Sequence, residues 1–344
     1  MRAAVIRRYG PPDVFAVQDV PDPQAKPGEV LIRVKTIGVN FADLLARIGV
    51  YPTAPKPPFV PGLEVAGIVE KVAEASRGGD SDSLRPGDAV VALCNFNAYA
   101  EWVTVPANHA FRLPAGIGFD EAAAIPVNYL TAYHSIVVMG NMLAADRILV
   151  HNGAGGVGIA AIQIAKARGL KIFATGGPSK QEMLRKLGVD HAIDYQRDDF
   201  VDVVHKFAPD GIEMVMDAIG GKSFSRSYDC LGSTGRLVIY GFSVASSASG
   251  KRDLVGSAKA LLETPRFHPL RLMAKNVSVL GVNLSGLVAR PTLLRSEMAD
   301  VFQLYAAGKI KPVVGKRFPL AEVAAAHQFI HERKNIGKVV LWIK

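Results

Sequence analysis

Residues 147–167 read RILVHNGAGGVGIAAIQIAKA, in which Gly153, Gly155 and Gly158 separate a strand-like run from a helix-like run. The spacing Gly-x-Gly-x-x-Gly at a strand-to-helix turn is typical of a dinucleotide-binding site. The first glycine permits a tight turn, the second lets the backbone approach a pyrophosphate, and the third allows the helix to pack closely on the strand. The first N–H groups of the helix then face the anion. An ordinary turn in an α/β sheet is the alternative, and the strand–glycine–helix context favours the dinucleotide site.

Length and composition predict a globular protein with two domains. The chain has 344 residues, 49% of them apolar, and a formal net charge of +9. No run of about 18 uncharged apolar residues and no secretory signal pattern occurs, which predicts a cytoplasmic protein. Lys and Arg are dispersed and no nucleic-acid motif accompanies them, so binding of a multiply anionic cofactor explains the charge better than binding of nucleic acid. The two cysteines, Cys94 and Cys230, are predicted to be free structural thiols.

The first third of the chain predicts a mostly β unit. Up to about residue 114, short strand-like runs at 30–35, 65–69 and 88–93 are separated by Pro and Gly. The polar, glycine-rich stretch 77–83 is predicted to be a solvated loop between strands.

From about residue 125, strand-like and helix-like runs alternate, which predicts parallel βαβ units. The expected strands are 148–151, 171–175, 192–195, 214–217, 237–240 and 277–281, and the expected helices are 159–167, one through 183–187, and 201–207. Right-handed crossovers between six strands would form a doubly wound parallel sheet with the ligand at the carboxyl ends of its strands. A helix near 293–307, a strand near 316–318, a helix at 322–333 and a strand at 337–343 are predicted to complete the N-terminal unit.

Residues 243–275 interrupt this alternation. Ser and Gly come first, and leucines, Phe267 and Met273 then interleave with Lys and Arg. Four interpretations remain open: a helical flap over the substrate site, an oligomer contact, a membrane-surface segment, or an ordinary helical excursion.

Six stretches across the chain resemble the medium-chain dehydrogenase/reductase superfamily. They are GVNFAD (38–43), YP (51–52), PGLEVAG (61–67), RPGDAV (85–90), GAGGVG (153–158) and NIGKVV (335–340). Within the superfamily the chain is similar to the zinc-free quinone oxidoreductases of the zeta-crystallin type. DGIEMVMD (210–217) and GKIKP (308–312) resemble the vesicle-amine-transport (synaptic vesicle membrane protein) branch of that type.

The resemblance implies an α/β fold in which a Rossmann doubly wound parallel sheet is combined with a GroES-like, mostly β catalytic domain. It implies a first part of the catalytic domain at 1–124, an NADPH-binding domain at 125–285, and a C-terminal segment at 286–344 that completes the catalytic domain. It also implies a homodimer, in which the apolar run 277–281 would otherwise be an exposed sheet edge.

Zinc catalysis is disfavoured by two residues. Zinc enzymes of the superfamily carry Cys where this chain has Asn40 and Gly-His-Glu where it has Gly62-Leu63-Glu64. An amide and a leucine cannot supply the thiolate and imidazole ligands that catalytic zinc requires. The resemblance also indicates that Glu64 is structural and that Asp43 orients its loop.

The predicted catalytic residues are Tyr51 and Asn40. A carbonyl or enone oxygen develops negative charge as hydride is transferred, so a hydrogen-bond donor is needed beside it. By resemblance to related enoyl-thioester reductases, the Tyr51 hydroxyl would protonate or polarise the acceptor. The alternatives are that Tyr51 only closes the cleft and that Asn40 only caps its own turn.

NADPH is the predicted cofactor because the second nucleotide-domain strand ends ATGGPSK (174–180), without the acidic residue that binds the ribose hydroxyl of NAD. Ser179 and Lys180 can bond a 2′-phosphate instead, although Lys180 is also explained as solvated surface. By resemblance, Tyr195 and Arg333 would contact this phosphate. With the further contacts that the resemblance implies, the complete predicted cofactor site comprises Asn40, Asn128, Thr131, Gly153, Gly155, Gly156, Val157, Gly158, Thr175, Gly176, Ser179, Lys180, Tyr195, Asp217, Tyr240, Gly241, Arg333 and Asn335.

The sequence is therefore compatible with three functions. The first is a zinc-independent, NADPH-dependent reductase of quinones or other conjugated enones. The second is a reductase of enoyl thioesters or lipid enals, which would use the same cofactor. The third is a non-catalytic NADPH-binding protein that acts at a membrane or on RNA through residues 243–275.

Overall fold

The computed structural model describes residues 1–73, 84–246 and 254–344. The predicted loop at 77–83 and residues 247–253 of the 243–275 segment lie outside the described residues. The strands are β1 (Arg2–Ile6), β2 (Phe15–Asp19), β3 (Glu29–Val39), β4 (Glu64–Val72), β5 (Ala89–Leu93), β6 (Trp102–Pro106), β7 (Ala110–Arg112), β8 (Arg147–Val150), β9 (Lys171–Gly176), β10 (His191–Asp194), β11 (Ile212–Asp217), β12 (Leu231–Ile239), β13 (Ser278–Gly281), β14 (Val314–Pro319) and β15 (Lys338–Trp342).

The α-helices connect these strands or pack on them. They are α1 (Phe41–Ile48), α2 (Phe119–Ala122), α3 (Pro126–Tyr133), α4 (Gly156–Ala167), α5 (Gln181–Lys186), α6 (Phe200–Phe207), α7 (Lys222–Asp229), α8 (Leu254–Leu262), α9 (Pro269–Lys275), α10 (Leu284–Val288), α11 (Pro291–Ala306) and α12 (Val323–His331). A π-helix, His134–Met139, continues α3. Within the described ranges, no helix is both long and apolar enough to cross a membrane.

The nucleotide sheet has six strands in the order β10-β9-β8-β11-β12-β13, and every neighbouring pair is parallel. Helices pack on the sheet, so its central strands β8, β9 and β11 are almost entirely buried and consist mainly of apolar residues. The predicted doubly wound sheet is confirmed. Because the strands are parallel, β8, β9 and β11 all deliver their carboxyl ends to one edge, where the glycine turn also lies.

The catalytic sheet is built from both ends of the chain. Its order is β14-β15-β3-β4-β5-β7, and β6 also pairs with β3. β15 runs antiparallel to β3 and places Val339 opposite Val39, next to Asn40. The mostly β second unit is therefore confirmed, and its last strands come from the C-terminal segment.

Helix α1 lies within the first third of the chain, for which the sequence predicted mainly strands. Asn40 stands at its N-terminus with extended backbone, and Gly49 ends it in the left-handed conformation with φ 77°. The Asp43 carboxylate accepts the Asn40 N–H at 2.8 Å, which satisfies a backbone donor next to the first turn. The motif residues 38–43 thus span the end of β3 and the first turn of α1.

Candidate active site

The glycine turn has no room for side chains at its key positions. A Cβ on Gly158 would lie 2.3 Å from the Asn152 carbonyl oxygen, and one on Gly153 would lie 2.9 Å from the Ala174 Cβ. Gly155 precedes α4, and its N–H donates to the Asn152 carbonyl at 2.9 Å. The backbone therefore forms an open cradle at a helix N-terminus, which is the geometry a pyrophosphate requires.

Asn128 of α3 borders this cradle from the other side. A Cβ on Gly156 would lie 2.6 Å from the Asn128 Nδ2. Asn128 is buried and donates to the Ala124 carbonyl at 3.2 Å, while Thr131 lies one turn further along the same helix and is also buried. The structure thus brings the predicted Asn128 and Gly156 together. Val157 is half-buried at the start of α4.

The C-terminal segment joins the cradle through its backbone. The Gly337 N–H donates to the Ala154 carbonyl at 2.8 Å, and Gly337 bridges Gly155 in parallel register. The Lys180 ammonium donates to the Asn335 carbonyl, and partial burial lowers the pKa of Lys180. Two predicted cofactor residues that are 155 positions apart therefore meet beside the turn.

The end of β9 carries no acidic side chain. Ser179 is exposed in a 3-10 turn, Pro178–Lys180, and Gly176 is buried. Tyr195 follows β10, is 45% exposed, and places its hydroxyl 3.3 Å from where a Gly177 Cβ would stand. Arg333 is exposed two residues before Asn335. Lys180 and Tyr195 therefore both border the glycines at the end of β9, since Lys180 Cβ would lie 3.1 Å from a Cβ on Gly176.

Beneath the cradle, four buried side chains connect the ends of β8, β9 and β11. We call Asp217, Ser227, His151 and Thr175 the strand-end network. Ser227 donates to Asp217 Oδ2 at 2.7 Å, His151 Nε2 lies 3.0 Å from Ser227 Oγ, and His151 Nδ1 lies 3.1 Å from Thr175 Oγ1. Burial lowers the pKa of His151, although Asp217 opposes the shift. His151 and Ser227 were not among the predicted site residues.

The predicted cofactor residue Asp217 has internal partners for both carboxylate oxygens. Oδ1 accepts the Ile219 N–H at 2.7 Å, and Oδ2 accepts the Ser223 and Ser227 hydroxyls, each at 2.7 Å. Its side chain is fully buried. Tyr240 and Gly241 follow the adjacent strand, and the Tyr240 N–H donates to the Asp217 carbonyl at 3.2 Å.

A second group of buried polar side chains lies at the start of α1. We call Asn40, Glu64, Lys338 and Asp43 the buried-charge cluster. Lys338 Nζ donates to Asn40 Oδ1 at 2.6 Å and to Glu64 Oε1, while Asn40 Nδ2 donates to Glu64 Oε1 at 2.7 Å. Glu64 Oε2 accepts the Val127 N–H at 2.8 Å and so holds the first turn of α3. The second Asn40 N–H has one described partner, the Gly38 carbonyl at 3.4 Å.

Asp43 extends this cluster inward. Its Oδ2 accepts the Tyr99 hydroxyl at 3.1 Å, and Tyr99 lies 3.1 Å from His327 Nε2. Burial raises the pKa of Asp43 to about 7, whereas Lys338 and the two hydrogen bonds oppose the shift. Burial also raises the pKa of Tyr99 and lowers that of His327.

Tyr51 lies in the loop after α1, half-buried against Phe96, with 6.4 Å between the ring centroids. No hydrogen bond to its hydroxyl occurs among the described residues. The hydroxyl is therefore available to a ligand.

Sequence reasoning missed Lys338, Tyr99, His327, His151 and Ser227. Lys338 lies within the quoted motif NIGKVV, but its partner Asn40 is 298 positions away. A lone Lys or His in a strand-like run carries no sign of its partner. Among the described residues, no group of three or more His, Cys, Asp or Glu side chains is arranged to hold a metal ion.

Comparisons with known proteins agree with this architecture. Residues 26–115 match the alcohol dehydrogenase GroES-like domain, and residues 187–341 match the zinc-binding dehydrogenase family. The chain is 39% identical over 343 residues to the synaptic vesicle membrane protein VAT-1 homolog of Danio rerio, covering 99% of this chain and 69% of that protein.

Two solved structures are similar over the whole chain. The Escherichia coli quinone oxidoreductase complexed with NADPH is 28% identical with a TM-score of 0.87, and the alignment covers 100% of both chains. The CurK enoyl reductase is 27% identical with a TM-score of 0.85, covering 100% of this chain and 99% of that one.

Proposed function

Because the chain belongs to the quinone oxidoreductase type of the medium-chain dehydrogenase/reductase family, in the branch of the VAT-1 homologues, we propose that it is a zinc-independent, NADPH-dependent reductase of quinones or other conjugated enones. The observation that carries the proposal is the glycine cradle at the N-terminus of α4, with Lys180 and Asn335 beside it.

NADPH, when bound, supplies the hydride. The glycine turn and the N-terminus of α4 would hold its pyrophosphate, since backbone N–H groups and the helix dipole favour an anion there. Lys180, Ser179, Tyr195 and Arg333 would receive the 2′-phosphate, for which the end of β9 offers no repelling carboxylate. Asn128 and Thr131 would line the nicotinamide side.

On the side of the hydride acceptor, hydrogen-bond donors would take the place of a metal ion in stabilising the acceptor oxygen. We assign the weakly engaged second N–H of Asn40 to the acceptor oxygen and the Tyr51 hydroxyl to its protonation. Asn40 and Leu63 stand where zinc enzymes carry ligands, and the ammonium of Lys338 holds the Asn40 amide oxygen at 2.6 Å. Such a site supports hydride transfer without a Lewis acid.

The reaction is tested by steady-state oxidation of NADPH with a panel of quinones, enones and enoyl-CoA esters. We expect turnover with the conjugated ketones, and we expect Tyr51→Phe to lower kcat about 10- to 100-fold while NADPH affinity is kept. Tyr305→Phe, near the end of α11, is the matched control. A wild-type protein that oxidises NADPH with no acceptor would contradict the proposal, and an unchanged kcat for Tyr51→Phe would remove Tyr51 from it.

The cofactor preference is tested separately by titration. Lys180→Met should weaken NADPH binding about tenfold and leave NADH binding unchanged, because one charge-assisted contact to the 2′-phosphate is lost. Lys186→Met, an exposed lysine paired with Glu182 on α5, is the control. Equal affinities of the wild type for NADH and NADPH would refute the phosphate-binding role.

Reduction of enoyl thioesters is the second enzymatic candidate. It is supported by the likeness to the CurK enoyl reductase over the whole chain. The same panel separates the two candidates, since a thioester reductase shows the larger kcat/KM with enoyl-CoA esters.

Helices α8 and α9 favour an additional contact with a membrane surface. Their exposed apolar side chains include Leu261, Leu262, Leu270 and Met273, which are 66–87% exposed, and Lys259 and Arg271 lie among them. We expect co-sedimentation with phosphatidylserine vesicles, weakened by Leu261→Ser together with Leu262→Ser. Binding that is equal for the wild type and this double variant would exclude these helices as the contact.

A homodimer is also proposed. β13 is the last strand of the nucleotide sheet, and β12 is its one partner among the described strands. Its outer edge therefore offers backbone donors and acceptors to a second copy. Sedimentation equilibrium should give twice the mass of the 36.7 kDa chain, and a monomer at micromolar concentration would contradict this.

A further inference from the structure

The strand-end network has a definite hydrogen-bond direction. Asp217 lacks a proton to donate when ionised, and the Ser227 hydroxyl donates to its Oδ2 at 2.7 Å. With its proton committed there, Ser227 Oγ accepts from His151 Nε2, which lies 3.0 Å away. His151 Nε2 must therefore carry a hydrogen.

Thr175 forms the other end of the strand-end network, next to the glycine turn. Thr175 Oγ1 accepts the backbone N–H of Asn152 at 3.2 Å and lies 3.1 Å from His151 Nδ1, so its hydroxyl can donate to that nitrogen. Because Nε2 carries a hydrogen and burial disfavours the doubly protonated ring, the imidazole is neutral and His151 Nδ1 accepts the Thr175 hydroxyl. The lowered pKa of His151, caused by burial, agrees with this state.

Asn152, where the network ends, is the pivot of the glycine turn. Its φ is 53°, in the left-handed region that Asn adopts more readily than other non-glycine residues. Its carbonyl accepts the Gly155 N–H at 2.9 Å, and the same oxygen is the atom a Cβ on Gly158 would strike. A shift of Asn152 would consequently move both of these glycines.

We propose that His151 is a positioning residue for the cofactor site: the line Asp217–Ser227–His151–Thr175 holds the Asn152 N–H and thereby sets the glycine turn that receives the pyrophosphate. The proposal rests on the proposed binding of NADPH, not on the identity of the acceptor. It gives Asp217 and Thr175 a role through the turn instead of direct contact with the cofactor, because both side chains are buried and have internal partners.

The first test removes one hydroxyl from the network. Thr175→Val keeps the shape of the side chain and deletes the group that accepts the Asn152 N–H and donates to His151. We expect NADPH to bind about 5- to 20-fold more weakly, and Thr175→Ser to restore binding to within about twofold, because a lost buried hydrogen bond has an effect of this size. NADPH affinity is measured by nucleotide fluorescence, without turnover.

Matched serines on α7 provide the second test. Ser227→Ala cuts the network at Asp217 and should weaken NADPH binding about 3- to 10-fold. Ser225→Ala removes an exposed hydroxyl, bonded to the Lys222 carbonyl, from the same helix and should change nothing. Equal affinity for the wild type, Thr175→Val and Ser227→Ala would overturn the proposal, whereas a wild type that fails to bind NADPH would overturn the proposed function itself.

A spectroscopic readout covers variants that fold poorly. In the ligand-free wild type, nitrogen-15 NMR of the imidazoles should show His151 as a neutral ring with its hydrogen on Nε2, with the signal identified by its loss in His151→Asn. A hydrogen on Nδ1, or a doubly protonated ring at about neutral pH, would refute the direction of the network.

Discussion

The strand-end network and the buried-charge cluster are both buried, yet they hold the two sides of the candidate active site by different kinds of interaction. The strand-end network contains one carboxylate, that of Asp217, and continues through neutral hydroxyl and imidazole groups. The buried-charge cluster places the Lys338 ammonium against the Glu64 carboxylate, and a second carboxyl, Asp43, follows. Neutral hydrogen bonds of about 1 kcal/mol each adjust geometry, whereas a broken buried ion pair costs several times more. We therefore expect loss of a hydroxyl from the network to alter cofactor binding, and loss of the Lys338 ammonium from the cluster to destabilise the fold.

The largest effect should come from Lys338→Met. It leaves Glu64 charged and unpaired in the interior, which should lower the free energy of unfolding by about 3–5 kcal/mol. Urea denaturation measures this loss. The double variant Lys338→Met with Glu64→Gln removes both charges and should recover much of it, since the isolated charge is then gone.

Lys334→Met is the control for that experiment. Lys334 pairs with Glu332 on the surface, where the two side chains are 61% and 37% exposed, and its loss should change stability by less than about 1 kcal/mol. An unchanged urea midpoint for Lys338→Met would contradict the expectation that the buried-charge cluster contributes more to stability than the strand-end network.

A smaller effect is expected on the nucleotide side from Gly158→Ala. The new Cβ would stand 2.3 Å from the Asn152 carbonyl oxygen, so the turn must shift. We expect a loss of about 1–3 kcal/mol in stability and NADPH binding weakened about 10- to 100-fold. Gly286→Ala, in α10 with open space around its Cβ position, is the control in thermal melts and nucleotide titrations. Normal binding by Gly158→Ala would mean that the turn is not the pyrophosphate site.

The smallest effect concerns pH, and here the two regions have opposite signs. The folded pKa of Asp43 is raised from 3.8 to about 7, so its contribution is complete below about pH 4 and is lost as pH rises to 7. The pKa of His151 is lowered on folding, so its contribution is lost as pH falls below its unfolded value. Asp43→Asn should therefore gain about 1–2 kcal/mol relative to the wild type between about pH 5 and pH 7. Parallel denaturation curves at all pH values would contradict the raised pKa of Asp43.

The nucleotide side was the more predictable of the two. Five of its six strands lie within two residues of their predicted bounds, while β12 begins six residues before the predicted strand at 237–240. The glycine turn lies where the spacing placed it, because backbone requirements leave a local pattern in the sequence. Lys180 and Asn335 were both predicted to contact the cofactor, but their contact with each other depends on the meeting of two sheets.

The acceptor side could not be predicted to the same depth. Asn40 was predicted as a site residue from its motif. Lys338, which bonds the Asn40 amide oxygen, and Tyr99, which bonds Asp43, come from distant segments of the chain. Helix α1 was also missed, since its start coincides with a motif that was read for function. Long-range pairing of side chains leaves no periodic trace that a single sequence can reveal.

The start of strand β15 contacts both the glycine turn and the buried-charge cluster. The Gly337 N–H, just before the strand, donates to the Ala154 carbonyl of the glycine turn, and Lys338, the first residue of the strand, donates to Asn40. Two adjacent residues thus connect the glycine turn to the buried-charge cluster. Inserting a single residue between Gly337 and Lys338 would turn the ammonium to the opposite face of the strand while the glycine turn stayed in place. The glycine turn and the rest of the buried-charge cluster would each keep their own contacts, but Lys338 would no longer connect them.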